Sequence, residues 1–262
     1  YNSADPPPGS THGHVLSTLV RRLRDLGAGA ITVGDRSGMG DTGRVMQRLG
    51  VFHLADELGF ELVDFDQLGA DGWERMQIAA GHWRKGFAFA RPALDADAIV
   101  QTCCLKTHRF GGHFTLSLKN SVGLVAKQVP GEGYNYMSEL HGSPHQREMI
   151  AEINAAYRPD LVVLDGVEAF VDGGPDRGTR ADAHVILAGT DRVAIDATGV
   201  AILRHFGTTP AVGQGPIFRQ AQIARAVELG LGVASPAEIE LVTGDAESDA
   251  YAAQIRSILD RG

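Results

Sequence analysis

The chain has 262 residues, of which 44% are hydrophobic and 21% are charged, and its net charge is −8. This composition is ordinary for a globular protein with a buried core, and the acidic balance excludes a general nucleic-acid binder, which needs a basic stripe. The two cysteines, Cys103 and Cys104, are adjacent, so they exclude a disulfide framework and cannot supply the four thiolates of the usual iron–sulfur cluster.

The N-terminal part of the chain predicts helices that alternate with strands. A Pro-rich segment leads to Thr11, a residue type that favours a helix N-cap, and a stripe of leucines and valines then continues to Gly27. The following predictions, in chain order, are a strand over 30–33, a helix over 42–58 and a strand over 60–65. Residues 66–96 show no regular period and receive no assignment.

The alternation continues in the rest of the chain. Predicted strands cover 97–104, 114–120, 160–165, 184–189 and 239–244, and predicted helices begin after Ser143 and Thr190, cover 216–229 and close the chain. This order predicts an α/β fold with a mostly parallel or mixed sheet, helices on both faces and glycine-rich loops at the strand carboxyl ends. We expect a single domain over 1–262, with residues 66–150 as a candidate inserted subdomain.

Polar, glycine-rich segments follow the predicted strands at 34–43, 106–114, 165–178 and 189–196. Ligands of open α/β sheets bind in the crevice at the carboxyl ends of the strands. The four segments therefore predict one composite site.

The first of these segments contains GMGDTG, which matches the dinucleotide-binding pattern letter for letter at Gly38, Gly40 and Gly43. However, three residues separate the strand end from the first glycine, and Asp35 and Asp41 would place carboxylates near a pyrophosphate. A flexible glycine-rich turn is the alternative interpretation.

The stretch KTHRFGGHFTLSLKN carries two histidines and three cations around a pair of glycines. A glycine-hinged loop can bring His108 and His113 toward one point, where neutral imidazoles bind transition metals. Alternatively, Lys106, Arg109 and Lys119 bind a carboxylate or phosphate through charge-assisted hydrogen bonds. Solvated loop histidines are the third interpretation.

A second histidine pair lies in HGSPHQREMI. Ser143 as N-cap predicts a helix start that places His145 in the first turn and His141 just before it. The positive end of the helix dipole disfavours protonated imidazole, and neutral imidazole is the form that binds metals. Together with His108 and His113, these residues are the candidate ligands of a transition-metal ion of unknown identity.

Several stretches together resemble the uncharacterised family catalogued as domain of unknown function 362: LKTHRFGGHFTLSLKNSVGLV, ELH, IAEINAAYRPDLVVLDGVEAF, GGPDRG and ILAGTDRVAIDATG. The resemblance extends from Thr11 to about Phe206 and implies an α/β fold, but no single activity. Members of that family often carry a ferredoxin-like iron–sulfur segment. This chain has no CxxCxxC run, so we expect no iron–sulfur cluster.

The histidine, glycine and lysine segment is also distantly similar to lactate-racemase-like proteins, which use a nickel-pincer cofactor. That resemblance implies a reactive centre formed by His108, Lys119 and His141, which acts on a small 2-hydroxy acid by hydride and proton transfer.

The leading hypothesis is an enzyme, an isomerase, lyase or oxidoreductase, that acts on a small anionic substrate with or without a metal ion. Its predicted catalytic residues are His108, Lys119 and His141, and its predicted substrate-binding residues are Lys106, Arg109, Asn120, Asp165 and Asp191. The alternatives are a non-catalytic anion- or metal-binding partner of a redox enzyme, and a dinucleotide-dependent oxidoreductase. We expect a cytoplasmic protein without nucleic-acid or membrane partners, and a homo-oligomer is an open option.

Overall fold

The computed structural model of the chain describes residues 1–3, 8–111 and 113–262. The strands are β1 (Thr32–Asp35), β2 (Glu61–Asp64), β3 (Trp73–Met76), β4 (Phe87–Ala90), β5 (Val100–His108), β6 (His113–Thr115), β7 (Leu161–Gly173) and β8 (Gly178–Gly189). The helices are α1 (Gly13–Asp25), α2 (Thr42–Arg48), α3 (Val51–Leu58), α4 (Arg91–Leu94), α5 (Ser117–Asn120), α6 (Tyr136–Gly142), α7 (Gln146–Ile153), α8 (Arg192–His205), α9 (Pro210–Gly213), α10 (Ala221–Glu228) and α11 (Ala246–Arg261). Helices combined with parallel and antiparallel strands confirm the predicted α/β fold.

The main sheet has the strand order β6-β5-β7-β8. β5 and β7 are parallel, whereas β6 and β8 run antiparallel to their neighbours, so this sheet is mixed. The segment 165–178, predicted as a polar loop, instead lies in the paired strands β7 and β8 and the turn that joins them. Backbone pairing with β8 continues past Asp165, so this residue lies within a strand and not at its end.

The largest hydrophobic cluster lies between one face of the main sheet and α8, which is buried along nearly its whole length. Cys103 and Leu105 of β5 belong to this cluster, and Ile255 and Leu259 of α11 join it from the other side of α8. α8 begins after Asp191, whose carboxylate accepts from the backbone N–H of Ala194, and not after Thr190 as predicted.

β1 and β2 form a separate parallel pair beside α1 and α3. The helix predicted over 42–58 is two helices, because Gly50 adopts the left-handed conformation with φ 72° between them. The N-cap of α1 is His12, whose side chain accepts from His14 N–H. Thr11, predicted as that cap, hydrogen-bonds Thr102 instead.

A further hydrophobic cluster surrounds both tryptophans and is built from β3, β4, α6 and α7, mainly within the segment 66–150. It is tied to the rest of the chain through the buried Glu152 of α7, which pairs with Arg225 of α10 at 3.1 Å. The division of the chain into domains stays a prediction.

Two features of the C-terminal part differ from the prediction. The segment 239–244 is not a strand and pairs with none of the strands that the structure describes. The helix predicted over 216–229 begins only at Ala221, after a short 3-10 turn. Within the described residues, every helix is too short or too polar to cross a bilayer.

Candidate functional site

The candidate site lies on the face of β5 opposite the main hydrophobic cluster. Successive side chains of a strand point to opposite faces, so Cys103 and Leu105 enter the core while Cys104, Lys106 and His108 line a pocket. β5 extends to His108, which therefore lies on a strand and not on a glycine-hinged loop.

The pocket has a volume of about 440 Å³, which suits a small organic molecule. Its walls come from segment 9–11, the loop after β1, β5, α5 with the 3-10 turn that follows it, and α6. The lining residues on which the argument depends are Asp35, Arg36, Cys104, Lys106, His108, Lys119, Asn120, Gly123, Lys127 and His141. Segments far apart in the chain thus form one site.

Lys119 reaches the pocket from the short helix α5. The predicted strand over 114–120 is instead the end of β6 followed by this helical turn. The fully buried carboxylate of Asp196 accepts from the backbone N–H groups of Ser117 at 2.7 Å and Leu118 at 3.2 Å. Asn154 donates to the Leu118 carbonyl at 2.9 Å. α5 is therefore held from behind by buried polar side chains.

The amine of Lys119 lies 3.1 Å from His108 Nε2. Burial, together with the neighbouring cations Lys119 and Lys106, lowers the pKa of His108 to about 2. Burial, helped by Lys106 and Arg36, also lowers the pKa of Lys119 from 10.5 to about 7. Near neutral pH the imidazole is therefore uncharged, and the amine exchanges between its charged and neutral forms.

The other nitrogen of His108, Nδ1, is buried and has no hydrogen-bond partner among the described residues. Because a buried polar atom is normally satisfied, this unpaired nitrogen is an exception that the described residues do not explain. His108 therefore offers one nitrogen to Lys119 and a second, unpaired nitrogen.

Two buried cations lie on the pocket wall without a carboxylate partner among the described residues. Lys106 donates to the Gly9 carbonyl at 2.6 Å, and burial lowers its pKa. Arg36 donates to the Val125 carbonyl at 2.7 Å, and burial lowers its pKa as well. Asp35 acts on both cations, but the hydrogen bonds described above go to neutral carbonyls, so these cations favour an anion in the pocket.

Lysine is unevenly distributed in this chain. The 24 lysine and arginine residues include only four lysines: Lys85, Lys106, Lys119 and Lys127. Three of the four line the pocket, whereas Lys85 is exposed outside it. Lysine differs from arginine in that it loses its proton readily when buried. The pocket is therefore lined by amines that can change their protonation state.

A close backbone approach shapes the pocket on the side of β1. A Cβ atom at Gly123 would lie 2.4 Å from Asp35 Oδ1, which only a shift of the turn or of Asp35 could relieve. Asp35 is the acidic residue among the described residues that line the pocket. Glycine at 123 thus lets the turn after α5 lie against this carboxylate.

Of the four predicted histidine ligands, His108 and His141 line the pocket, whereas His113 and His145 lie outside it. His113 contacts Arg147 at 2.8 Å, and His145 stacks on His82 with ring centroids 4.3 Å apart. His145 is the N-cap of α7 and not part of its first turn. His141 lies in the last turn of α6, so the argument from a helix N-terminus does not apply to it.

No group of three or more histidine, cysteine, aspartate or glutamate side chains within residues 1–3, 8–111 and 113–262 is placed to hold a metal ion. We therefore assign no metal ligands in this site.

Three predicted substrate-binding residues do not line the pocket and have other partners. Arg109 pairs with Asp176 at 2.6 Å, which lowers the pKa of that carboxyl. Asp165 accepts from His12 N–H at 2.8 Å and so fixes the start of α1. Asp191 caps α8 and also accepts from Val233 N–H at 2.8 Å.

The glycine loop after β1 contributes to the pocket wall, but its polar groups are engaged. Ser37 Oγ and Met39 N–H donate to the Asn2 carbonyl at 2.8 and 3.0 Å. The carboxylate of Asp41 caps α2 through Arg44 N–H at 2.8 Å. A pyrophosphate at this helix start would meet that carboxylate, so the geometry gives the dinucleotide interpretation little support.

Arg36, Cys104 and Lys127 line the pocket but were not predicted as site residues from the sequence. The period-two spacing of Cys104, Lys106 and His108 is a signal that could have placed Cys104 on the same face of β5. Arg36 and Lys127 carry no such local signal, because tertiary packing brings them to the pocket.

Comparison with known proteins places this site in a family. The model of the family described as "Domain of unknown function (DUF362)" matches residues 1–201. The thylakoid-associated protein sll1697 of Synechocystis sp. is 25% identical over 192 residues, which are 71% of this chain and 54% of that protein. The chain thus spans about half the length of this relative.

No solved structure matches the chain. The distant resemblance to lactate-racemase-like proteins is not shown by these comparisons. Because the family model covers well over half of the chain, including every residue of the pocket, the chain belongs to the family of domain of unknown function DUF362.

Proposed function

We propose that this protein is an enzyme that binds a small carboxylate or phosphate compound in the pocket and transfers protons on it with Lys119, whose amine His108 holds in place. The contact of 3.1 Å between the Lys119 amine and His108 Nε2, inside a cation-lined pocket, is the observation that carries this proposal. A group whose pKa lies near the working pH is an effective proton donor and acceptor.

The residues divide into two roles. Arg36 and Lys106 supply the fixed positive field that attracts the anionic group of the substrate. Asn120 and His141 line the same pocket and are placed to contact the rest of the substrate. A transition-metal ion, a cytoplasmic location and a homo-oligomeric state remain predictions.

The test is calorimetric binding of sulfate, phosphate and small 2-hydroxy and 2-oxo acids to the wild-type chain and to Lys106→Met, Lys119→Met and Lys85→Met. Loss of a charge-assisted hydrogen bond costs about 1.5–3 kcal/mol, so either pocket variant should bind about tenfold more weakly or worse. Lys85→Met, outside the pocket, should bind normally. Equal affinity in all four proteins would refute the proposed site.

Turnover separates the enzyme from its alternative. If a bound anion is converted, Lys119→Arg should reduce the rate by about 10² or more while binding persists. Tight binding without conversion of any compound would instead favour the non-catalytic anion-binding protein.

A further inference from the structure

We infer that Lys119 forms an imine with a small carbonyl compound that carries a carboxylate, the class of the 2-oxo acids. This inference rests on the proposed function, because it needs the same cation-lined pocket to hold the carboxylate. It names what the pocket's amine does, beyond holding an anion.

The first argument is the placement of a primary amine. Lys119 lines the pocket and is partly exposed as a residue, so a molecule bound there contacts its side chain. Among the described ion pairs and hydrogen bonds its amine contacts only His108, whereas the Lys127 amine is paired with Asp66 at 2.7 Å. Without a carboxylate partner, the amine can lose its proton and act as a nucleophile.

The second argument is the choice of lysine over arginine. A chain that uses arginine at most of its basic positions places three of its four lysines on this pocket. If charge alone were needed there, arginine would serve, as Arg36 does on the same wall. Desolvation beside other cations is a known way to activate an amine, and Lys106 and Arg36 both lower the pKa of Lys119.

The third argument is the neighbouring imidazole. Imine formation joins the amine nitrogen to the carbonyl carbon, and the carbonyl oxygen leaves as water with the two protons that the neutral amine gives up. His108 Nε2, 3.1 Å from the amine, accepts a hydrogen bond from it and holds the nitrogen in place, while the two protons pass from the nitrogen to the departing oxygen through water in the pocket. Amine and carbonyl thus give imine and water, and no oxidant or reductant takes part.

The experiment traps the imine with sodium cyanoborohydride in the presence of pyruvate at neutral pH, and peptide mass spectrometry follows the four lysines separately. We expect modification of Lys119 at least about tenfold faster than that of the exposed Lys85, because the amine is neutral at a much lower pH. Sulfate should protect Lys119, and His108→Gln should slow its modification. Lys119→Arg should lose the modified peptide and leave the other lysines unchanged.

Pyruvate that binds by calorimetry but modifies Lys119 no faster than Lys85 would overturn the imine and leave the proposed function standing. Absence of binding by every tested anion would overturn both. Sulfate protection is measured on the wild-type chain, so the test stays decisive even if a variant fails to fold.

Discussion

At the scale of single residues, the site contains two ionisable groups in contact that would repel each other if both were protonated. Lys119 and His108 are both cations in acid solution, yet they lie in contact and near Lys106. Burial and the neighbouring cations lower the pKa values of His108 and Lys119, which leaves a neutral imidazole beside an amine that titrates near pH 7.

Sulfate binding should therefore depend on pH. Sulfate keeps its charge between pH 6 and 8, whereas Lys119, with a pKa of about 7, loses its positive charge over that range. The affinity should fall as the pH rises through 7, and calorimetry at pH 6 and 8 measures the difference. Lys119→Arg should show a smaller difference in sulfate affinity between the two values, since arginine stays charged. A wild-type affinity that is the same at pH 6 and 8 would be inconsistent with this role.

At the scale of elements, the short helix α5 is positioned by residues distant in the chain. Asp196 on α8 holds the N–H groups of Ser117 and Leu118, and burial raises its pKa to about 7. Asp196→Ala leaves these buried groups without an acceptor and should lower the free energy of unfolding by roughly 3 kcal/mol, measured by urea titration. Asp196→Asn keeps an acceptor oxygen and should lose less.

The raised pKa of Asp196 also makes the free energy of unfolding depend on pH. Between pH 4 and 7 the folded state keeps a proton that the unfolded state, with the ordinary value of 3.8, has released. This group therefore makes the free energy of unfolding fall as the pH rises through that window. Asp196→Asn should show a weaker fall, and an unchanged slope would show that the carboxyl is ionised throughout.

A substitution at Gly123 tests the pocket wall on the side of β1. Gly123→Ala would place its Cβ 2.4 Å from Asp35 Oδ1, so we expect a loss of about 1–3 kcal/mol in stability together with weaker sulfate binding. Gly133→Ala is the matched control, because a Cβ there meets nothing within 4 Å. Similar behaviour of the two variants would mean that the turn moves freely.

The sequence predicts elements well where local pattern and tertiary contact agree. The strand that ends in the cysteine pair and the helices now named α1, α8 and α11 follow from apolar period and turn residues. The segment 239–244 has a strand's pattern but no partner among the described strands, and pairing is not encoded locally. The stretch 114–120 alternates like a strand, yet Asp196 stabilises a helical turn in it.

At the scale of the whole molecule, the site depends on tertiary contacts that bring segments between Tyr1 and Pro175 around one pocket. The sequence brought Lys106, His108, Lys119, Asn120 and His141 forward as candidates, and the structure places all five around one pocket. The sequence alone could not show that Arg109, Asp165 and Asp191 lie outside this pocket, because their positions depend on which strands pair. The roles of all these residues stay predictions.

We expect the whole chain to unfold as one cooperative unit. Trp73 and Trp83 both lie in the cluster around 66–150, so tryptophan fluorescence follows that cluster, whereas far-ultraviolet circular dichroism follows helices throughout. Since the Glu152–Arg225 pair joins α7 to α10, we expect both signals to change at the same urea concentration. Two separate transitions would identify an independent subdomain.

The central claim is that Lys119 is an amine with a pKa near 7 in contact with a neutral histidine. Carbon-13 nuclear magnetic resonance of protein with labelled lysine measures this directly, because the chain has only four lysines and so four side-chain signals to assign. We predict one signal that titrates near pH 7 and disappears in Lys119→Arg. Titration of Lys119 near its ordinary value of 10.5 would contradict the account.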